Sequence, residues 1–180
     1  MTRLLTVSGS PSASSRGNAL SLYLGSRLRA QGFSVDHLAI RDLPPAAVLH
    51  ADFSDPAIQA SQAAVAEADG LVIVTPIYKA SFSGTLKAWL DLLPQDGLQG
   101  KTVLPIGTSG SLAHALALDY ALRPVLQALG ANHVAQSHLV TDSQIERQPS
   151  GDVRLHESAV ERLTGSVQSF VGSLPQLAVV

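Results

Sequence analysis

The sequence predicts an α/β fold in which one parallel sheet is covered by helices on both faces. Short aliphatic runs alternate with alanine- and leucine-rich stretches along the chain. The run at residues 70–75 is aliphatic without alternation, which is typical of a parallel strand buried on both faces. A chain of 180 residues suits a single domain over residues 1–180 with a sizeable core.

Five runs have the composition of strands, and five helical patterns alternate with them. The strand-like runs are residues 4–8, 33–40, 70–75, 102–107 and 134–140, the last of which carries several polar residues. The helical patterns are residues 18–31, 57–68, 85–93, 112–129 and 156–174. Asp55 and Pro56 suit the N-cap and first position of the second helix, and residues 41–56 otherwise favour irregular structure. The alternation of strands and helices predicts that the strands pair in parallel. The number of strands, five, fits the flavodoxin-like strand order 2-1-3-4-5.

The composition excludes several classes of protein. The chain has no cysteine, which excludes disulfide frameworks, thiol catalysis and cysteine-ligated metals. His133 and His138 fall on opposite faces of a strand, so no metal site is predicted. A net charge of −2 with interspersed signs gives no basic surface for nucleic acid or an anionic membrane. With no membrane-spanning run and no signal-peptide pattern, we expect a cytoplasmic protein without nucleic-acid or membrane partners.

Small hydroxyl residues fill the segment between the first strand and the first helix, residues 8–18, which we call the first loop. It contains five serines, two glycines, Arg16 and Asn18. A helix that begins here points unpaired N–H groups and a partial positive charge at the loop, and an arginine fork binds phosphate well. The segment therefore predicts a site for a terminal phosphate monoester. The alternative is a solvated, serine-rich loop that only caps the helix.

Two further loops of small residues follow the third and fourth strands. The second loop covers residues 76–84, and the third loop covers residues 108–111. Ligands of a doubly wound sheet bind beyond the carboxyl ends of the strands, so the three loops should meet in one crevice. The dinucleotide, P-loop and nucleophile-elbow motifs are absent from these positions. A mononucleotide fits best, with its phosphate at the first loop and its ring between the other two.

The loop sequences resemble those of the NADPH-dependent FMN reductases. The matching motifs are Gly9-Ser10-Pro11 with Ser15-Arg16, then TPIYK at residues 75–79 and SGTLK at residues 83–87. The run AHALALDYALRPVL at residues 113–126 narrows the resemblance to the reductases that serve alkanesulfonate monooxygenases. The resemblance extends to about Gln144, through Asp142-Ser143-Gln144, and fades over the last helix.

The resemblance implies where FMN would bind. The first loop would hold its phosphate, the second loop would lie along the ribityl chain and ring, and the third would reach the pyrimidine side. The implied residues are Ser10, Ser15, Arg16, Asn18 and Ala19 in the first group, Pro76, Ile77, Tyr78 and Lys79 in the second, and Thr108, Ser109, Gly110 and Ser111 in the third. Lys79 and Arg16 are the candidates for contact with the 2′-phosphate of NADPH.

The resemblance also implies the reaction, which is hydride transfer from NADPH to FMN and release of reduced FMN to a flavin-dependent monooxygenase. Because the flavin carries the chemistry, no catalytic acid or base is assigned. Two alternatives stay open: a quinone, azo-dye or metal-ion reductase that holds FMN permanently, and a non-enzymatic electron carrier like flavodoxin. The near-neutral charge disfavours the carrier, which usually exposes an acidic docking face.

The helix at residues 112–129 is apolar on nearly all sides. One side must face the sheet, and the other is expected to face a second subunit in a homodimer or homotetramer. Pro124 has no N–H for the carbonyl of Tyr120, which predicts an irregular turn of the π-bulge type. In the sulfonate-type reductases a tyrosine in this helix forms such a bulge near the flavin. The resemblance implies that Tyr120 keeps FMN loosely held, so that reduced FMN can leave.

Overall fold

The computed structural model describes residues 1–12, 14–149 and 152–175, so that Ala13 of the first loop lies outside the described residues. The strands are β1 (Arg3–Ser8), β2 (Ser34–Ala39), β3 (Gly70–Tyr78), β4 (Ser81–Phe82), β5 (Thr102–Ser109), β6 (His133–Val134), β7 (His138–Thr141), β8 (Ile145–Arg147) and β9 (Val153–Leu155). The α-helices are α1 (Arg16–Ala30), α2 (Pro45–Leu49), α3 (Pro56–Glu67), α4 (Gly84–Leu90), α5 (Arg123–Ala128) and α6 (Glu157–Gly172).

The main sheet has the order β2-β1-β3-β5-β6, with β7 also paired to β5. The pairs along this path are all parallel. Because β6 and β7 together occupy the place of the fifth predicted strand, the order confirms the flavodoxin-like prediction of 2-1-3-4-5. Helices pack against both faces of the sheet.

The fifth predicted strand, residues 134–140, is wrong as a continuous element. It is divided into β6, which pairs with the start of β5, and β7, which pairs with its end. The Arg123 guanidinium donates hydrogen bonds to the carbonyls of Val134, at 2.7 Å, and Ala135, at 3.0 Å. These carbonyls are drawn toward α5, so the chain leaves the strand path between β6 and β7.

The start of the second loop is strand rather than loop. Strand β3 continues through Pro76 to Tyr78 and then pairs antiparallel with β4. Lys79 and Ala80 form the turn, with φ angles of 50° and 63°. Left-handed φ at both central residues is typical of a type I′ hairpin turn, although neither residue is a glycine.

Short elements occur where the sequence predicted none. Helix α2 lies within residues 41–56, and the β8–β9 hairpin occupies the polar segment before the last helix. Helix α1 begins earlier than the predicted residue 18 because Ser15 caps it, its hydroxyl accepting hydrogen bonds from the N–H groups of Gly17 and Asn18. Asp55 caps α3 in the same way, and Pro56 is its first residue, as predicted.

The prediction of one continuous helix over residues 112–129 is wrong, and that of a π-bulge at Tyr120 is confirmed. A 3₁₀ turn at Leu112–His114 comes first, and a π-helical segment at Leu118–Leu122, which we call the π segment, leads into α5. The Arg123 N–H donates to the carbonyl of Leu118, five residues earlier. Pro124 cannot donate to the Tyr120 carbonyl, so the chain takes this longer register.

The core lies on both faces of the sheet. Leu5 and Ile73 point to one face, where they meet α3, α4 and the π segment, whereas Leu4 and Val74 point to the other face and meet α1 and α6. Trp89 of α4 is fully buried, and its indole N–H donates to Ser61 Oγ at 3.1 Å. In the described part of the chain, no helix combines the length and the apolar character needed to cross a membrane.

Two half-buried histidines should make the free energy of unfolding depend on pH. Burial lowers the pKa of both His37 and His138, and Arg29 and Arg162 respectively lower it further. The unfolded chain therefore takes up protons first as the pH falls below about 6.5. The contribution of these two histidines to the free energy of unfolding is fully present above that pH. It is lost progressively as the pH falls toward their pKa values in the folded state. Denaturant titrations at pH 7.5 and 5.5 should show this loss.

The contribution of His37 can be isolated by substitution. Its Nδ1 lies 3.0 Å from Thr6 Oγ1, and its Nε2 is buried without a hydrogen-bond partner among the described residues. His37→Gln should reduce the loss of stability between the two pH values, and the same exchange at the exposed His50 is the control. Equal pH dependence in His37→Gln and the wild type would show that His37 does not contribute.

Candidate functional site

The three loops meet in one cleft at the carboxyl ends of β1, β3 and β5, as the sequence predicted. The cleft has a volume of about 290 Å³. Its lining residues are Ser10, Ser12, Ser14, Ser15, Arg16, Gly17, Pro76, Ile77, Tyr78, Thr108, Ser109, Gly110 and Asp142. The parallel pairing of β1, β3 and β5 places all three loops at this one edge.

Hydroxyl groups and a helix N-terminus define the first-loop end of the cleft. Ser12 N–H donates to Ser10 Oγ at 3.3 Å, and the hydroxyls of Ser12 and Ser14 lie 3.3 Å apart. Ser15 closes the loop as the N-cap of α1. The loop contains no acidic residue. This end of the cleft is therefore rich in donors and suited to an anion.

Glycines hold the loops close together. A Cβ on Gly17 would lie 3.3 Å from Thr108 Oγ1, so the first and third loops approach closely at this residue. A Cβ on Gly9 would lie 2.9 Å from the Cβ of Leu86, and the Gly9 carbonyl accepts a hydrogen bond from Ser83 Oγ. These contacts fix the first loop to the start of α4 and to the third loop, which makes the cleft largely preformed.

Two arginines and one aspartate set the charge of the cleft. Arg16 is exposed, and its Nε donates to the carbonyl of Ile145 at 3.2 Å. Arg147 does not line the cleft, but its Nη1 donates to the Ser14 carbonyl of the first loop at 3.1 Å. Asp142 lies across the cleft, with its Oδ2 3.9 Å from the place of a Cβ on Gly110. The positive end is therefore the first loop, and an anion there avoids the Asp142 carboxylate.

The cleft gathers most of the residues that the sequence singled out. Those in its lining are Ser10, Ser15, Arg16, Pro76, Ile77, Tyr78, Thr108, Ser109 and Gly110. Tyr78 has 49% of its surface exposed and so offers an aromatic side chain at the rim.

Four of the predicted residues lie outside the lining. Ala19 is buried, and its N–H already donates to the Ser15 carbonyl at 3.2 Å. Lys79 is exposed at the tip of the β3–β4 hairpin, and Ser111 caps the 3₁₀ turn, with its hydroxyl accepting from Ala113 N–H at 3.1 Å. Asn18 lies in the first turn of α1, where its Oδ1 is buried without a hydrogen-bond partner among the described residues.

Sequence reasoning left out four lining residues. Ser12, Ser14 and Gly17 belong to the first loop, and its small-residue pattern was signal enough to include them. Asp142 comes from the turn after β7, and the parallel pairing of Thr141 with Ser109 of β5 places that turn beside the third loop. Only the motif Asp142-Ser143-Gln144, at the end of the resemblance, pointed to it.

The π segment is tied both to the cleft and to the break in the edge strand. A Cβ on Gly107 would lie 3.2 Å from Leu118 Cδ1 and 3.4 Å from Ile77 Cδ1, so the π segment lies against the cleft wall. Asp119 Oδ1 accepts hydrogen bonds from Arg123, at 2.9 and 3.1 Å, and from Ser137 Oγ, at 2.6 Å. The π segment thus contacts β5 at Gly107 and the connection before β7 at Ser137.

Comparison with known proteins identifies the family. The sequence profile of the family described as NADPH-dependent FMN reductase matches residues 2–146. The chain belongs to this family. It is 45% identical over 168 residues to an FMN reductase (NADPH) from Pseudomonas putida, a match that covers 93% of this chain and 85% of that protein.

Two further relatives agree with this family. An FMN reductase (NADPH) from Escherichia coli is 43% identical over 143 residues, which are 79% of this chain and 75% of that protein. The apo crystal structure of an NADH:FMN oxidoreductase superimposes with a TM-score of 0.89 at 38% identity, covering 99% of this chain and 92% of that one. Reductases of this family therefore include proteins named for NADPH and proteins named for NADH.

The residues of the cleft fit FMN. Its phosphate would find donors at the first loop, and the small residues of the third loop would admit a flat ring. Pro76, Ile77 and Tyr78 offer an apolar wall that such a ring could contact.

Proposed function

We propose that this chain transfers a hydride from NADPH to FMN and releases reduced FMN as a product. Membership of the family makes it an NAD(P)H-dependent FMN reductase. The observation that carries the site assignment is the meeting of the first, second and third loops in one cleft whose first-loop end bears hydroxyls, a helix N-terminus and Arg16. The isoalloxazine ring, when bound, supplies the electron-accepting chemistry.

The chain's own contribution is binding and orientation. The first loop and Arg16 would hold the phosphate, and Pro76, Ile77 and Tyr78 would hold one side of the ring. Hydroxyls and backbone N–H groups of the third loop would stabilise the negative charge that reduction places on the ring. None of these roles requires a side chain to gain or lose a proton, so we assign no acid or base.

The partner of the reaction is proposed to be a flavin-dependent monooxygenase that acts on alkanesulfonates and consumes the reduced FMN. Two features support this. The run at residues 113–126 resembles that of the reductases serving such enzymes. Tyr120 lies within the π segment, and the resemblance associates such a bulge with loose binding of FMN. A loosely held flavin suits an enzyme whose product must leave for another protein.

Assembly into a homodimer or homotetramer is proposed from an apolar surface beside the π segment. Leu112, Leu116 and Tyr120 have exposed fractions of 59%, 62% and 78%. Large apolar side chains grouped in this way mark an interaction surface. The surface lies next to the cleft wall, so an assembly built on it would also influence the flavin site.

Leu116→Glu should dissociate this assembly and lower turnover of FMN, because a carboxylate would be buried between subunits. Leu118 is unsuitable for the same experiment, since it is fully buried against the sheet. Sedimentation velocity at micromolar concentration measures the mass of both proteins. Leu22→Glu is the matched control on another face, with a leucine that is 45% exposed. A wild-type protein that sediments as a monomer would contradict the proposal.

NADPH oxidation with and without added FMN tests the proposed reaction. Turnover that depends on the concentration of free FMN supports a reductase that releases its product. Turnover without added FMN, in the presence of a quinone, would instead indicate a reductase that holds FMN permanently. Absence of NADPH oxidation under both conditions would indicate an electron carrier.

A further inference from the structure

A second cavity lies on the opposite side of the first loop from the flavin cleft, and we call it the Arg41 groove. Its volume is about 290 Å³. Its walls include Pro11, Leu43, Pro45, Val48 and Leu49, and Arg41 is the charged residue of the lining. The groove is thus an apolar slot with one cation, a composition suited to a flat ring that carries an anion.

The Arg41 groove and the flavin cleft share the first loop as a common wall. Pro11 lines the groove, whereas its neighbours Ser10 and Ser12 line the cleft. The start of α4 also lies beside the groove, because Thr85 is one of the lining residues. Just before this helix, Ser83 donates a hydrogen bond to the Gly9 carbonyl of the first loop. An extended ligand could therefore occupy the groove at one end and reach the flavin cleft with the other.

Arg41 lies two residues after the end of β2, at the same edge of the sheet as the cleft, where ligands of doubly wound folds bind. Its Nε is buried without a hydrogen-bond partner among the described residues. Its Nη2 is 3.4 Å from Asp42 Oδ1, and the Asp42 side chain is 63% exposed, so this ion pair is long and solvated. A buried N–H that lacks an acceptor is costly, and an anionic ligand would supply the acceptor.

We propose that the Arg41 groove binds the adenosine end of NADPH, with the adenine against the apolar wall and the 2′-phosphate on Arg41. The proposal rests on the proposed function, which supplies the dinucleotide. It also replaces Arg16 and Lys79 as the groups that recognise the 2′-phosphate. Arg16 faces the cleft where the flavin phosphate is expected, and Lys79 is exposed at a hairpin tip. Arg41 is thus the residue that separates NADPH from NADH, which lacks this phosphate.

Nucleotide fragments test the groove without turnover. Isothermal titration with adenosine 2′,5′-bisphosphate and adenosine 5′-monophosphate should show wild-type preference for the bisphosphate by about tenfold or more. Arg41→Gln should reduce this preference to near unity, and Arg41→Lys should keep part of it. Arg27→Gln, which removes an exposed arginine of α1, is the matched control and should keep the full preference.

Steady-state kinetics give the second readout. Arg41→Gln should raise the KM for NADPH about tenfold while leaving the KM for NADH and the kcat with both nucleotides unchanged. Leu49→Asp, which alters the apolar wall, should weaken the binding of adenosine 2′,5′-bisphosphate and of adenosine 5′-monophosphate by the same factor.

Three results would overturn the groove assignment. The first is an unchanged fragment preference in Arg41→Gln, and the second is a loss of preference in Arg16→Gln or Lys79→Gln instead. The third is a change in sedimentation of Leu49→Asp without any change in nucleotide affinity, which would make the groove an interface between copies of the chain. In each case the wild type would still oxidise NADPH with FMN. Failure of the wild type to do so would refute the proposed function instead.

Discussion

A variant that lacks Tyr120 is expected to purify yellow, with FMN bound at least about tenfold more tightly than in the wild type. The Arg123 N–H reaches the Leu118 carbonyl five residues earlier, and removal of one residue restores the four-residue spacing of an α-helix. Leu118, Leu122 and Leu126 are the fully buried residues of this region, and their new spacing of three and four still suits one helix face. The variant should therefore fold.

The expected change in binding follows from where the π segment lies. Leu118 and Ile77, a residue of the cleft wall, both pack close to Gly107, so a new helical register is expected to shift that wall. The deletion variant should lose NADPH-driven release of reduced FMN and still pass electrons to a diffusible acceptor such as ferricyanide. The flavin absorbance of the purified protein and the two rates measure these effects.

Tyr120→Ala is the matched control, because it removes the aromatic side chain and keeps the number of residues and hence the π register. It should purify colourless, like the wild type. A folded deletion variant that is also colourless and turns over free FMN at the wild-type rate would show that the π segment does not control the release of FMN. Aggregation of the deletion variant alone would show that Tyr120 serves packing at an interface.

Arg16→Ala should weaken the binding of FMN by about thirtyfold, which corresponds to ~2 kcal/mol, and leave riboflavin almost unaffected. Only FMN carries the phosphate that Arg16 is proposed to contact. Quenching of flavin fluorescence gives both dissociation constants. Arg154→Ala, at an exposed position on β9, is the control for the change in net charge. An equal loss of affinity for FMN and for riboflavin would mean that Arg16 does not contact the phosphate.

The parts of the fold that local sequence predicted are those that local chemistry determines. The unbroken aliphatic run after Gly70 is buried on both faces in β3, as its composition required. Asp55 and Pro56 begin α3 because an N-cap acceptor and a pre-set φ act within one turn. The π-bulge followed from Pro124, since a missing N–H acts on one identified carbonyl.

The parts that were missed depend on contacts between distant segments. The break between β6 and β7 is set by Arg123, which reaches two carbonyls eleven and twelve residues away. Asp142 reaches the cleft from the turn after β7, and Arg147 of the short β8–β9 hairpin donates to the Ser14 carbonyl of the first loop. The strands of that hairpin are too short to leave a periodic pattern. Arg41 stood in a segment predicted to be irregular, and only the packing of that segment against the first loop makes a groove there.

Electrostatic arguments from composition alone were also incomplete. The first loop was recognised as donor-rich from its serines and Arg16, but the carboxylate of Asp142 beside the third loop was not foreseen. The two ends of the cleft thus differ in charge, and this difference favours the proposed orientation, with the flavin phosphate at the first loop.

A crystal structure of the protein soaked with FMN tests the central claim most directly. The account predicts electron density for the phosphate within hydrogen-bonding distance of the first loop, on the side of Ser15 and Arg16. It predicts the ring between Tyr78 and the third loop, residues 108–111. Density for FMN in the Arg41 groove, or in the cleft with its phosphate beside Asp142, would contradict it.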